Sequence, residues 1–255
     1  MTTPDVTVAV DGAIGRITLT APDRLNSLDA AMLETVTAEV ARFDAEPAVR
    51  VIVLSGEGRA FSAGANIVAH VEVGDIDATL FGLGAAVRSI LEARTPIIAL
   101  VPGVAAGAGL SLALAADYVL VADDAKLLLA FGGLGLMPDG GATSLVVASI
   151  GRARALRLAL TGEKISGATA AQWGLVSESV AAEGFSARAD ELIAHLASLA
   201  PDGTALTTAA ITDAALDLDA TLDREERGQH ALLRTGDFAE GLAAFREKRP
   251  PTFGP

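Results

Sequence analysis

The chain of 255 residues contains 19 basic and 32 acidic residues, which gives a formal net charge of −13, and it contains no cysteine. A hydrophobic share of 51% excludes a disordered chain, and the length is sufficient for one large domain or one domain with an extension. The negative charge argues against nucleic acid or an anionic membrane surface as the main partner. The lack of cysteine excludes thiol nucleophiles, thiolate metal sites and disulfides.

The first half of the chain predicts an α/β core, because β-branched runs alternate with segments of helical spacing. Asp11-Gly12 is a tight-turn signal between apolar runs at 6–10 and 14–20, which predicts a β-hairpin. Asp29 is the predicted N-cap of the first helix. In chain order the further elements are a helix over 29–43, a buried strand over 49–54, a helix over 76–93, a buried strand over 97–101, a helix over 107–116 and a strand over 118–121.

The second half of the chain is predicted to be helical. After Gly140 the β signal fades, and helices are predicted over 144–150, 152–160, 168–173 and 185–199, with a more charged helical tail over 204–248. Pro201-Asp202-Gly203 marks the predicted boundary between a core of residues 1–200 and a C-terminal helical region of residues 201–255.

The segment 97–122 is apolar enough to raise the question of a membrane span. It contains Pro102, several glycines and Asp117, so it is interrupted where a spanning helix must be continuous. Residues 1–7 lack the basic region followed by an apolar stretch that is typical of a signal peptide. We therefore expect a cytoplasmic protein with no membrane partner.

Two short loops rich in glycine and alanine, at 61–66 and 103–109, follow the predicted buried strands. Small residues let a ligand approach the backbone closely, and each loop precedes a predicted helix with unpaired N-terminal N–H groups. Two such N–H groups directed at one point can hold a developing oxyanion. The loops therefore predict a site built from backbone rather than from reactive side chains.

The histidines and one serine offer alternative chemistry that the sequence does not favour. The three histidines, His70, His195 and His230, are scattered along the chain, which predicts surface or helix-face positions and no metal site. For His195, a core-facing edge of a helix is the alternative position. Ser111 stands in a segment that resembles a nucleophile elbow only loosely, because it falls in the first turns of a helix and not at a strand-to-helix turn. The favoured role for Ser111 is that of a small polar packing residue.

Asp139 is the most informative single side chain. It stands in an apolar, glycine-rich loop over 134–141 that opens a predicted helix. If Asp139 were an N-cap, its carboxylate would accept hydrogen bonds from the helix, and these would lower its pKa. A lower pKa would make Asp139 a weaker base. In a dry pocket desolvation would raise its pKa and favour a general base. The local sequence favours the cap and leaves the base open.

Several motifs in order resemble those of the crotonase superfamily, also called the enoyl-CoA hydratase/isomerase family. They lie at 22–28 (Pro-x-x-x-Asn-x-Leu), 61–67, 101–117, 134–143, 168–176 (with Ala-x-x-x-Gly-Leu-Val) and 240–249, so the likeness covers nearly the whole chain. The resemblance implies an α/β fold with a ββα spiral core and a C-terminal helical trimerisation region, in a homotrimer or a dimer of trimers. It also implies an acyl-CoA substrate and no cofactor beyond the coenzyme A that the substrate carries.

The resemblance also implies roles for particular residues. The backbone N–H groups of Ala65 and Ala108 should form an oxyanion hole that polarises the thioester carbonyl and stabilises an enolate. The implied contacts to coenzyme A or the acyl chain are Arg24 (phosphates), Ala63, Gly64, Ala65, Asn66 and Ile67 (adenine and pantetheine path), Gly107, Ala108, Phe131, and the tail residues Phe245 and Lys248 (coenzyme A of a neighbouring subunit). For Lys248, a charge at a helix C-terminus is an equally good interpretation.

Departures from the family pattern decide the expected reaction. Family hydratases carry glutamates at the positions of Ser111 and Phe131, and hydration needs a water held between two carboxylates. Asn66 replaces a usual aspartate, which is a mild change. Without the glutamate pair, Asp139 beside the enolate site resembles the family's isomerases, in particular the ring-epoxide isomerase of phenylacetate degradation, and becomes the expected base. A 2-enoyl-CoA hydratase and a non-catalytic acyl-CoA-binding paralogue are the alternatives.

Overall fold

The computed structural model describes residues 5–67, 71 and 76–254. Residues 1–4, which belong to the N-terminal segment without signal-peptide character, lie outside the described residues. His70, which was predicted to lie on a surface or helix face, also lies outside them. Within the described part, no helix is both long and apolar enough to cross a membrane.

The larger sheet confirms the predicted hairpin, the two predicted buried strands and the strand predicted over 118–121. It contains, side by side in this order, β1 (Val6–Asp11), β2 (Ile14–Leu19), β3 (Val51–Gly56), β5 (Ile97–Val101), β7 (Tyr118–Ala122) and β10 (Glu178–Val180). β1 and β2 are antiparallel, and the other neighbours are parallel. The residues of β3, β5 and β7 are mostly apolar and buried, as expected for parallel strands whose two faces are covered.

The smaller sheet consists of short strands that the sequence analysis missed. They are β4 (Ala60–Ser62), β6 (Val104–Ala106), β8 (Lys126–Leu128) and β9 (Ile165–Ser166). Two or three residues are too few to show a periodic pattern. β4, β6 and β8 each follow a strand of the larger sheet within a few residues, so the chain winds between the sheets as a spiral. β9 and β10 also correct the expectation that β structure ends at Gly140.

Helices cover the sheets and form the C-terminal region. Asp29 is the N-cap of the first helix, as predicted, and accepts a hydrogen bond from the Met32 N–H. Gly151 has a φ of 74° and divides the fourth helix into two arms, which match the two helices predicted there. The helices are α1 (Ala30–Asp44), α2 (Ile76–Leu91), α3 (Ala108–Leu114), α4 (Ala142–Thr161), α5 (Gly167–Trp173), α6 (Phe185–Ser198), α7 (Pro201–Ala215), α8 (Leu218–Leu232) and α9 (Gly236–Glu247), with 3₁₀ turns at Pro22–Arg24, Gly132–Leu134 and Ala182–Gly184.

The main apolar core lies between the two sheets and helices α1 to α4. Large side chains such as Phe43, Phe61 and Ile97 are fully buried in it. Each such burial stabilises the fold by about 1.5–3 kcal/mol. A smaller cluster on the other face of β3 and β5 packs against α6. The strands that end at the two glycine-rich loops are therefore held firmly on both faces.

Two glycines let the glycine-rich loops touch each other. Gly64 has a φ of +96°, and a Cβ on it would lie 2.8 Å from the carbonyl oxygen of Ala106 and 3.6 Å from the nitrogen of Ala108. A Cβ on Gly109 would lie 2.6 Å from both the Cβ and the carbonyl oxygen of Ser62. Glycine permits these close approaches, and a side chain would force the loops apart.

Gly109→Ala is expected to destabilise the protein by about 1–3 kcal/mol, because the added methyl group would overlap Ser62. Gly203→Ala is the matched control, since nothing lies within 4 Å of that Cβ position in the exposed helix α7, and alanine there should stabilise by roughly 0.5–1 kcal/mol. Urea unfolding measures both free energies. Equal effects of the two substitutions would contradict the close contact of the loops.

Candidate active site

The backbone N–H of Ala65 is directed away from the segment that pairs with it. Leu28 and Ala65 form a parallel bridge, in which the Leu28 N–H donates to the Gly64 carbonyl at 2.7 Å and the Asn66 N–H donates to the Leu28 carbonyl at 2.9 Å. The residue between these two contacts directs its own N–H to the opposite side. Within the described residues, the Ala65 N–H has no acceptor.

The backbone N–H of Ala108 is also unpaired, for a different reason. Ala108 is the first residue of α3, and N–H groups in the first turn of a helix have no partner inside the helix. Gly107 is the N-cap, with φ 50° and ψ −126°, and has no side chain to cap it. The described part of the chain holds no acceptor for the Ala108 N–H. The two predicted oxyanion donors thus lie on loops that touch.

A cavity of about 510 Å³ opens beside the two loops. Every residue that the family resemblance assigned to the ligand lines it, except Lys248. Its walls are Arg24, Ser27, Ala63, Gly64, Ala65, Asn66, Ile67, Thr79, Leu80, Leu83, Gly107, Ala108, Ala130, Phe131, Gly133, Leu134, Leu136, Asp139, Gln229, Leu233, Ala244, Phe245, Arg249 and Pro251. Among these lining residues, Asp139 is the single carboxylic acid.

Asp139 is nearly buried in the wall of this cavity. The residue is 7% exposed, and its Oδ1 has no hydrogen-bond partner among the described residues. Burial raises the pKa of Asp139 to about 7; a hydrogen bond from Gln229 acts against this rise, and the charge of Glu225 adds to it. An unpartnered buried oxygen is costly, so it calls for an explanation. A carboxyl group with a pKa near neutrality can both accept and return a proton.

The cap that the local sequence favours for Asp139 is not formed. The N-cap of α4 is Gly141, and no side chain of the loop caps the helix. Glu225 reaches across from α8 instead: its carboxylate accepts the Gly141 N–H at 2.6 Å, the Thr143 N–H at 2.8 Å and the Thr143 hydroxyl. Burial raises the pKa of Glu225, while these three donors favour its ionised form. The Asp139 carboxylate is therefore not needed at the helix end.

Gln229, one turn beyond Glu225 on α8, holds the other oxygen of Asp139. Its Nε2 donates to Asp139 Oδ2 at 2.7 Å, and its Oε1 accepts the Met137 N–H at 3.2 Å. The side chain is buried, at 3% exposure, and lines the cavity. Asp139 is thus held on one oxygen and unpartnered on the other.

Ser111 and Phe131 occupy the two positions at which the family resemblance implies glutamates in hydratases. Ser111 is fully buried inside α3, and its hydroxyl donates to the Asp139 backbone carbonyl at 2.8 Å, which confirms the predicted packing role. It follows the short strand β6, which the sequence analysis had missed, by five residues. Phe131 is 7% exposed and adds an apolar ring to the cavity wall.

The positions expected to contact coenzyme A are only partly assembled within one chain. Arg24 lines the cavity, but its Nη2 is 2.9 Å from Asp5 Oδ2 and 2.8 Å from Asp29 Oδ2, so its charge is already balanced. Phe245 is 63% exposed and lines the cavity of its own chain. Lys248 is the C-cap of α9, with a φ of 54°, and is not among the lining residues.

The described histidines lie outside the site. His195 is exposed on α6, so the core-facing edge considered for it is wrong. His230 is exposed on α8, and its Nδ1 lies 3.4 Å from Asp77 Oδ1. Among the described residues, no group of histidine and acidic side chains is arranged to hold a metal ion.

Glu225 and Gln229 were not predicted as site residues from the sequence. They lie in a run of polar residues that is typical of an exposed helix, so nothing in the local sequence marks them as buried. The available signal is spacing, since Thr221, Glu225 and Gln229 follow one another at intervals of four and share one helix face with the buried Leu222. Polar residues on the apolar stripe of a helix indicate contacts to a buried partner.

Known proteins are similar to this chain over almost its whole length. The model of the enoyl-CoA hydratase/isomerase family matches residues 9–255. A 1,2-epoxyphenylacetyl-CoA isomerase of Escherichia coli K12 is 36% identical over 251 residues, which are 96% of each chain. A probable enoyl-CoA hydratase of Rhodobacter capsulatus is 40% identical over 250 residues, which are 93% of each chain.

The fold is equally close to solved structures. An enoyl-CoA hydratase from Mycobacterium avium subsp. paratuberculosis K-10 has a TM-score of 0.94 and 38% identity, with full coverage of both chains. Together, the spiral of paired sheets, the touching glycine-rich loops and these likenesses lead to one conclusion. The chain belongs to the enoyl-CoA hydratase/isomerase family, the crotonase superfamily.

Proposed function

We propose that the protein is an acyl-CoA isomerase that moves a proton along the acyl chain with Asp139 as its single base. One observation carries the proposal. The buried Asp139 carboxyl, with its pKa raised to about 7 and one oxygen unpartnered, lines the same cavity as Ala65 and Ala108, whose N–H groups are unpaired. The family acts on acyl-CoA thioesters, which supplies the substrate class.

In the proposed reaction, the thioester oxygen accepts hydrogen bonds from the N–H groups of Ala65 and Ala108. Asp139 removes a proton from carbon 2 of a 3-enoyl-CoA, and the electron pair moves into the carbonyl to give a dienolate. The two donors bind the dienolate more strongly than the neutral thioester, because negative charge has grown on the oxygen. Asp139 then returns the proton to carbon 4, the double bond forms between carbons 2 and 3, and the carboxylate is restored.

Hydration is less well supported, because it needs a second carboxylate beside the water. Ser111 is committed to the Asp139 carbonyl, and Phe131 carries no polar group. Glu225 is the nearest candidate acid among the described residues, but its oxygens are occupied by Gly141 and Thr143 and it does not line the cavity. A single base is enough for a proton shift.

Two substrate classes suit this site. One is a 3-enoyl-CoA, and the other is ring-1,2-epoxyphenylacetyl-CoA, on which the E. coli relative is named to act. Leu80, Leu83, Phe131 and Leu136 give the cavity an apolar wall, which supports an apolar acyl group as ligand. We further propose, from the family resemblance, that Arg24 and residues 63–67 contact coenzyme A. Phe245 and Lys248 would contact the coenzyme A of a neighbouring subunit, in a homotrimer or a dimer of trimers in the cytoplasm.

Asp139→Asn is expected to lower kcat for conversion of 3-hexenoyl-CoA to 2-hexenoyl-CoA by about 10²–10⁴-fold, because the base is lost while the side-chain shape is kept. The absorbance of the conjugated enoyl thioester measures the rate, and mass spectrometry checks that the mass of the thioester is unchanged. Binding of acyl-CoA by the variant, measured by calorimetry, should persist. Asp213→Asn removes a charge from exposed α7 and should leave the rate unchanged.

Three results would contradict this proposal. Full activity of Asp139→Asn would remove Asp139 as the base. Binding of acyl-CoA without any turnover of 3-enoyl or ring-epoxide substrates would favour a non-catalytic paralogue. Addition of water to 2-hexenoyl-CoA by the wild type would favour a hydratase.

The rate is expected to depend on pH through Asp139, because only the ionised carboxylate can accept a proton. With a pKa of about 7, kcat/KM should rise as pH increases from 5 to 8 and level off above the pKa. Well below that pKa the decrease should be about tenfold for each pH unit. Initial rates with 3-hexenoyl-CoA measure this profile. A profile that is flat from pH 5 to 8 would mean an ordinary carboxyl group and would contradict the assignment.

A further inference from the structure

We propose that Gln229 is a positioning residue, whose amide holds Oδ2 of Asp139 so that Oδ1 is the oxygen that takes and returns the substrate proton. The role in catalysis rests on the proposed isomerase function. The contact that carries it is a structural feature in its own right, since Nε2 of Gln229 lies 2.7 Å from Asp139 Oδ2.

The Gln229 amide has one orientation that satisfies both neighbours. The Met137 N–H can only donate, so the amide oxygen must face Met137, where Oε1 accepts it at 3.2 Å. The amide nitrogen then faces Asp139. A carboxylate oxygen is the acceptor that this nitrogen requires, so the interaction favours the ionised form of Asp139.

The same contact decides where the proton sits when Asp139 is neutral. In a neutral carboxyl group the carbonyl oxygen is a better acceptor than the hydroxyl oxygen, so the amide of Gln229 favours Oδ2 as the carbonyl oxygen. The proton is therefore held on Oδ1, which has no partner among the described residues. In both protonation states Oδ2 stays an acceptor, and Oδ1 is the oxygen whose proton comes and goes.

The loop that carries Asp139 is held rigidly enough for this role. Side chains from α3 and α8 contact it at alternate residues: Gln229 at Met137, Ser111 at the Asp139 carbonyl, and Glu225 at residues 141 and 143. The helix and the loop are packed closely, since a Cβ on Gly228 would lie 2.1 Å from Met137 Sδ. Groups placed by packed helices keep their geometry through a reaction better than groups on free loops.

Two substitutions test the role of Gln229. Gln229→Met keeps the length of the side chain and removes the donor, so the midpoint of the kcat/KM profile should rise by about one pH unit. Gln229→Glu keeps the acceptor for Met137 and places a second carboxyl beside Asp139, so the midpoint should rise further, because two carboxyls then share one proton. In both variants kcat should fall more than KM rises. Glu226→Gln changes the charge on the exposed side of the same helix, α8, and as the control it should leave the profile unchanged.

A readout without substrate separates this proposal from the isomerase proposal. In protein labelled with ¹³C at aspartate Cγ, the resonance lost in Asp139→Asn identifies Asp139, and its titration midpoint should rise in Gln229→Met and Gln229→Glu. A midpoint unmoved in both variants would overturn the positioning role, even if the enzyme isomerises. A raised midpoint in a protein without isomerase activity would keep the contact and overturn the proposed function. If Gln229→Met fails to fold, the midpoint measured in Gln229→Glu tests the positioning role alone, because that variant retains the hydrogen bond to Met137.

Discussion

Helix α8 supplies the polar contacts on which the Asp139 loop depends. The loop is built largely from glycine and apolar residues, so Asp139 is its one side chain that could accept the N–H groups that open α4. Glu225 accepts hydrogen bonds from these N–H groups, and Gln229 donates a hydrogen bond to one oxygen of Asp139. If Asp139 accepted these N–H groups itself, they would stabilise its carboxylate and its pKa would fall. The region predicted to serve assembly, residues 201–255, thus also completes the site.

In this site, backbone groups are placed to stabilise charge and one side chain is placed to move a proton. Unpaired N–H groups of Ala65 and Ala108, fixed by a strand bridge and a helix start, suit the charge that develops on a carbonyl oxygen. The Asp139 carboxyl group is suited to accept a proton from the substrate and to return it. Its burial has a cost, because the native pKa of about 7 lies above the value of 3.8 for a free aspartate. The native state therefore holds this proton more tightly, and the contribution to stability declines as pH rises from about 4 to 7.

The sequence predicted the elements that are long enough to show a pattern. β3, β5 and β7 appear as β-branched runs, and Asp29 marks the start of α1 because an N-cap is a local signal. The two loops were recognised from glycine, which the close contact of Gly64 with the Ala106 carbonyl oxygen requires. The short strands β4, β6, β8 and β9 were missed because two or three residues cannot carry a period.

The polar framework of the site could not be predicted in the same way. The hydrogen bonds from Glu225 to Gly141 and from Gln229 to Asp139 join residues 84 and 90 positions apart in the chain. Only the spacing of four along α8 distinguishes these two side chains from the exposed residues around them, and it does not name their partners. The local sequence accordingly favoured a cap for Asp139, and the family resemblance was needed to favour a base.

Transfer of deuterium within the substrate tests the single-base mechanism most directly. The substrate is 3-hexenoyl-CoA with deuterium at carbon 2, converted in ordinary water, and the product is analysed by NMR and mass spectrometry. A single buried carboxylate carries the abstracted deuteron to carbon 4, so a substantial share of the product should retain it there. Product that contains no deuterium at carbon 4 even in the first turnovers would mean that the proton comes from solvent or a second acid, and would contradict Asp139 as the only base.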